Sequence, residues 1–159
     1  MNSILKIKNF YILIFTILLS SLLIALYIEF VMGFKPCKLC IYQRIPYLIG
    51  ICVAFLGIIY YKNLFWLYSL LFIFILSSLI SGYHLGIEQG YFEEFIGCTT
   101  NNLDIINKSD LLKAIQSEPK SCKNVEFSIF GFSLASINFL LSTIIFILII
   151  KLLLNEKKK

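Results

Sequence analysis

Four long apolar blocks, separated by polar segments, organise the chain. Residues 10–31 are apolar apart from small hydroxyls and Glu29 near the end, and residues 41–60, 64–85 and 127–150 repeat that character. A helix needs about 20 such residues to cross the hydrocarbon core of a bilayer. The pattern therefore predicts an all-α membrane protein, a four-transmembrane-helix bundle in a single domain spanning 1–159. Only Lys62 and Asn63 separate the second block from the third, so those helices must be antiparallel neighbours. Pro46 lies early in the second block, and a proline inside a helix kinks it, which would move the regular helix start toward Ile45. A cleaved signal peptide is the rival reading of the first block. It calls for an apolar region of about 7–15 residues and a small-x-small site. The block is longer, and Ala25 has no small partner two residues away, so it is read as a retained helix.

Two polar loops remain, residues 33–40 and 86–126. The second holds seven of the nine acidic residues. Within it, 109–118 reads as a short helix, with Ser109 as cap, Asp110 in the first turn, Leu111, Leu112 and Ile115 on one side, and Pro119 beyond the end. Such a helix would lie on the membrane surface or pack on the rest of the loop.

Composition agrees: 59% of residues are hydrophobic and 14% charged, where a soluble domain carries about 25% charged residues. The net charge of +5 comes mostly from lysines near block ends and in the tail, which suits anionic headgroups. No basic stripe with interleaved aromatics lies outside the apolar blocks, so nucleic acid is not an expected partner. Lys and Arg divide evenly, seven (Lys6, Lys8, Lys62, Lys151, Lys157, Lys158, Lys159) against seven in the two loops and just after them (Lys35, Lys38, Arg44, Lys108, Lys113, Lys120, Lys123). The first seven crowd into much shorter segments beside helix ends, which favours cytoplasmic termini and two extracytoplasmic loops.

The chemistry-bearing stretch is Pro36–Arg44, PCKLCIYQR. Cys37 and Cys40 form a Cys-x-x-Cys pair at the start of the second block, and Arg44, the single arginine, follows one turn later. A nearby cation and a helix N-terminus both favour the reactive thiolate. If the helix has begun, Cys40 and Arg44 share a face at i, i+4. Cys98 and Cys122 lie in the long loop, and two spans separate the loops, so all four cysteines face one compartment. Two such pairs suggest a thiol–disulfide relay. Two inert disulfides or a cross-loop staple remain open, whereas a four-cysteine zinc site fits poorly because Cys98 and Cys122 are 24 apart. Cys52, inside the second block, is expected to fill core space. His84 is the single histidine, which argues against a bis-histidine haem. It is expected at the outer end of the third span, as an interfacial residue or lining a polar site with Glu88 and Gln89. Glu29 is expected to snorkel to water.

A relay of this kind must pass two electrons on. No flavin, nucleotide, haem or cluster signature is present, which leaves a lipid-soluble acceptor such as a quinone. Arg44 at membrane depth could stabilise the negative charge that grows on its carbonyl oxygens.

These segments resemble the DsbB-type disulfide-generating quinone reductases of the bacterial inner membrane. The resemblance rests on PCKLCIYQR at 36–44, YHLGIEQG at 83–90, Cys98 after an aromatic-rich stretch, and SCKNVEFSIFGFSLASINF at 121–139 with Asn138. Family members often carry Glu where this chain has Gln43. The resemblance implies that Cys98 and Cys122 exchange with a soluble DsbA-like thioredoxin-fold oxidase, with Cys98 forming the mixed disulfide. It further implies that Cys37 and Cys40 reoxidise that pair, that Cys40 faces a ubiquinone or menaquinone, and that Arg44 helps hold it. DsbA-type oxidases sit near roughly −120 mV, so an ordinary stable disulfide below about −300 mV would be uphill as their oxidant by roughly 8 kcal/mol. Two other classes compete: a vitamin-K-epoxide-reductase-like enzyme, whose Cys-x-x-Cys would be expected late in the chain, and a four-helix scaffold with structural disulfides.

Overall fold

The computed structural model describes residues 2–93, 122–123, 128–129 and 131–157. Among the described residues, four helices carry the fold: α1 (Asn2–Phe30), α2 (Lys38–Ile59), α3 (Phe65–Glu88) and α4 (Leu134–Lys157). All four are long and apolar enough to cross a membrane. A small antiparallel ribbon, β1 (Ser128–Ile129) with β2 (Phe132–Ser133), precedes α4, with Ser128 opposite Ser133 and Ile129 opposite Phe132. Gly131 turns it with φ 83°, a backbone region open to glycine at no steric cost.

Helix bounds differ from the sequence expectation: α1 begins at Asn2 and α4 runs on to Lys157, and the starts of α2 and α4 shift as well. α2 starts at Lys38 and not near Ile45, because Cys37 caps it; Pro46 then sits inside the helix, where its missing N–H leaves one turn unbonded. The fourth helix starts at Leu134, since part of the preceding segment pairs as the ribbon. The expected loop helix at 109–118 lies outside the described residues.

The helices pack in chain order, α1 on α2, α2 on α3 and α3 on α4, while α1 and α4 touch only sparsely. Lipid tails are as apolar as leucine, so burial alone does not hold such helices together; close packing and interhelical hydrogen bonds do. Tyr11, Ile14, Leu18, Leu67, Leu70, Phe74, Ile145 and Ile149 fill the interior. Gly57 lets the Tyr11 ring lie directly against α2, and a Cβ there would overlap that ring. The Ser77 and Ser142 hydroxyls join α3 to α4 at 2.9 Å. The tight α2–α3 turn is held by Asn63, whose side-chain oxygen accepts from Phe65 N–H at 3.0 Å.

Candidate functional site

The site forms at the α2 N-terminus. Cys37 is the N-cap, in extended backbone, and its sulfur accepts from Cys40 N–H at 3.3 Å, satisfying one of the free amides of the first turn. The Cys-x-x-Cys spacing then brings Cys40 Sγ to 2.9 Å from Cys37 Sγ, and both are free thiols. The Cys40 thiol donating to Cys37 pushes the Cys37 pKa down, from the ordinary 9.0 to about 4, with His84 assisting and burial opposing. Cys37 is thus a thiolate at neutral pH. Its alkylation by iodoacetamide in the reduced protein should stay fast down to about pH 5; a rate that falls steeply below pH 8 would show an ordinary thiol.

α3 supplies the next group. His84, 1% exposed, places Nε2 at 3.6 Å from Cys37 Sγ. A polar chain through the bundle orients its ring. The Tyr47 hydroxyl donates to Asn138 Oδ1, Asn138 Nδ2 donates to Gln43 Oε1 at 2.9 Å, and Gln43 Nε2 lies 3.0 Å from His84 Nδ1. Gln43 therefore donates to Nδ1, and the ring proton sits on Nε2, facing the Cys37 sulfur. Glu88, one turn on, reaches to 3.7 Å from Nε2 with Oε1. Its Oε2 accepts from the Ser133 hydroxyl at 2.5 Å, and that hydroxyl accepts from Ser136 N–H at 3.1 Å, so the end of β2 both caps α4 and ties it to the site.

The long loop enters through Cys122. It is 2% exposed and disulfide-bonded, and the Cys37, Cys122 and His84 ligand atoms all lie within 4.8 Å of one another. Beside them lies a cavity of about 330 Å³ where α1 and α4 stand apart, walled by Leu22, Ala25, Ile28 and Leu141 and edged by Cys37, Cys40, Arg44 and His84. Arg44 borders it one turn past Cys40 and is paired with Glu29 of α1.

Several expectations can now be placed. Cys37, Cys40 and Cys122 come together, Arg44 lies on the helix that carries Cys40, and Cys98 lies outside the described residues. Glu29 pairs with Arg44, and about a quarter of its side chain stays exposed. Cys52 fills no core space, because it points to the outer surface of α2. Sequence alone does not point to Gln43 and Tyr47 as site residues, marks Asn138 only as part of a motif, and leaves the roles of His84 and Glu88 open. The available signal was their polarity inside apolar blocks, which is costly unless they are partnered.

The comparisons with known proteins agree with this layout. Residues 7–152, nearly the whole chain, match the family model described as disulfide bond formation protein DsbB. The chain belongs to the DsbB family. It is similar to an uncharacterized protein of Rickettsia prowazekii (strain Madrid E), 28% identical over 134 residues that cover 80% of this chain and 76% of that protein. DsbB-family membership makes this a multi-pass membrane protein of disulfide bond formation, with the chemistry of a disulfide oxidoreductase.

Proposed function

We propose that the protein reoxidises a DsbA-like thioredoxin-fold oxidase and passes the electrons to a membrane quinone, ubiquinone or menaquinone. The carrying observation is the juxtaposition at the α2 N-terminus: a Cys37 thiolate lies between the Cys40 thiol and a disulfide-bonded Cys122, at the rim of an apolar cavity. The cavity suits a quinone. Its walls are aliphatic, it lies where α1 and α4 touch only sparsely, and a thiol and a guanidinium border it.

In this reading Cys98 pairs with Cys122, which fits the free state of the other three cysteines. The partner's thiolate attacks Cys98, and the partner's second thiol then releases its own disulfide, leaving Cys98 and Cys122 reduced. A Cys37–Cys40 disulfide takes the two electrons from them by the same exchange. The described state, with Cys37 and Cys40 reduced and Cys122 bonded, is the one that precedes electron transfer to the acceptor. Quinone accepts two electrons and two protons. The electrons leave the Cys37 and Cys40 sulfurs as their disulfide closes. One proton comes from the Cys40 thiol and one from water, for which His84 and Glu88 form the buried polar boundary. Arg44 stabilises the negative charge that develops on the acceptor oxygen. Both termini are cytoplasmic and both cysteine loops extracytoplasmic, where disulfides persist.

A trapping experiment tests the order of the relay. The partner's second thiol resolves the mixed disulfide, so mixing the oxidised protein with a reduced partner whose second active-site cysteine is serine should accumulate a covalent adduct through Cys98, seen by non-reducing electrophoresis. An adduct that maps first to Cys37 or Cys40 would reverse the direction of flow.

A further inference from the structure

The sulfurs and the imidazole of the site have a second use that depends on redox state. Zinc takes thiolate at about 2.3 Å and imidazole nitrogen at about 2.0–2.1 Å in tetrahedral geometry, which sets an S···N edge of about 3.6 Å. Cys37 Sγ and His84 Nε2 stand 3.6 Å apart in the protein. Cys122 Sγ lies within 4.8 Å of both, and Cys40 Sγ lies 2.9 Å from Cys37 Sγ. Cys40 Sγ stands outside the 4.8 Å group, so to become the fourth ligand its side chain must turn, opening the S···S distance to Cys37 toward the tetrahedral edge of about 3.8 Å while closing on the other two atoms. All four groups border one cavity, which supplies access for an ion.

We propose that the reduced protein binds a zinc-class divalent cation through Cys37, Cys40, His84 and Cys122, and that oxidation abolishes the site. The proposal goes beyond the quinone reading and does not depend on it. In the described state Cys122 is a disulfide sulfur and a poor donor, leaving Cys37, Cys40 and His84 as three ligands. Two electrons from a dithiol open that disulfide and add the fourth. Closing a Cys37–Cys40 disulfide instead removes two ligands at once.

Ligation through Nε2 requires the ring proton on Nδ1. The Gln43 amide can follow by turning over, so that Oε1 accepts from Nδ1–H, and Asn138 can turn with it, leaving Tyr47 as its acceptor. The same chain that orients His84 in the free site therefore orients it as a ligand, as partners of ligating histidines commonly do. Cation binding consumes the thiolates that reduce the acceptor, so an ion on the reduced form holds the relay out of turnover until it leaves or is chelated.

The test uses the full-length protein in detergent, reduced with a thiol-free phosphine or fully oxidised with diamide, and titrated with Zn2+ and with Co2+ as a spectroscopic stand-in. Neither quinone nor partner is present, so a failure here is separate from a failure of the proposed activity. The reduced parent should bind one Zn2+ per chain with proton release. Its Co2+ form should show tetrahedral d–d bands with thiolate charge transfer, a readout that needs no variant. The oxidised protein and reduced His84→Ala should each bind more than about 100-fold more weakly, since loss of a ligand exceeds the 10–100-fold cost of losing its outer partner. Cys52→Ala, on the outer face of α2, should bind like the parent. Equal affinity in the oxidised protein, unchanged affinity in His84→Ala, or a six-coordinate cobalt spectrum would each overturn the proposal.

Discussion

Cys40→Ser should bring steady-state quinone reduction to background while allowing a single burst of partner oxidation. Serine keeps the size of the side chain and can still donate to Cys37, which accepts from Cys40 at 2.9 Å in the parent, so α2 should keep its start. The two-electron step, however, ends with a bond between the Cys37 and Cys40 sulfurs. Without the second sulfur, Cys37 has no partner with which to give up its electrons. The Cys122 disulfide remains able to accept electrons once, giving one equivalent of oxidised partner per chain and then arrest. Partner oxidation followed by acid quench and thiol counting reads this directly. Continued turnover beyond one equivalent would mean that Cys40 is not in the path.

The second large effect is expected at Arg44. It stands at the cavity rim, paired with Glu29, with the two side chains 20% and 25% exposed. Removing a hydrogen bond to a charged group costs about 1.5–3 kcal/mol, or roughly 10- to 150-fold in rate or affinity. Arg44→Ala should therefore raise the apparent Michaelis constant for quinone and lower turnover by a combined factor in that range. It also leaves the Glu29 carboxylate unpaired at membrane depth, which by itself weakens the fold. The double variant Glu29→Gln, Arg44→Ala separates the two effects. It should insert and melt like the parent but still use quinone poorly. Parent-like quinone kinetics in the single variant would remove Arg44 from the site.

Much of the architecture was legible because a bilayer imposes one strong rule. Blocks such as 64–85 have to be predominantly apolar over about 20 residues, and they are. The same rule hides rotation. A helix that is apolar all round carries no stripe to say which face turns inward. Cys52 shows the consequence: its polarity and size suit a core, yet it lies on the outer surface. The Glu29–Arg44 pair and the chain from Tyr47 through Asn138 and Gln43 to His84 are hidden for the same reason, since each joins residues from different helices. The Cys-x-x-Cys motif was readable because its spacing is local, as was Arg44 one turn on. The distribution of charge within it was less accessible. Arg44 suggested a thiolate at Cys40, whereas the cap position, the Cys40 thiol and His84 give that charge to Cys37.

In the proposed function every disulfide made is coupled to quinone reduction. The direct measurement mixes purified protein in detergent, without oxygen, with a reduced DsbA-like partner and a short-chain ubiquinone or menaquinone, and follows quinone absorbance and partner thiols together. One quinone should be reduced for each partner disulfide formed, over many turnovers. Partner oxidation without quinone loss, or no multiple turnover with either quinone, would contradict it.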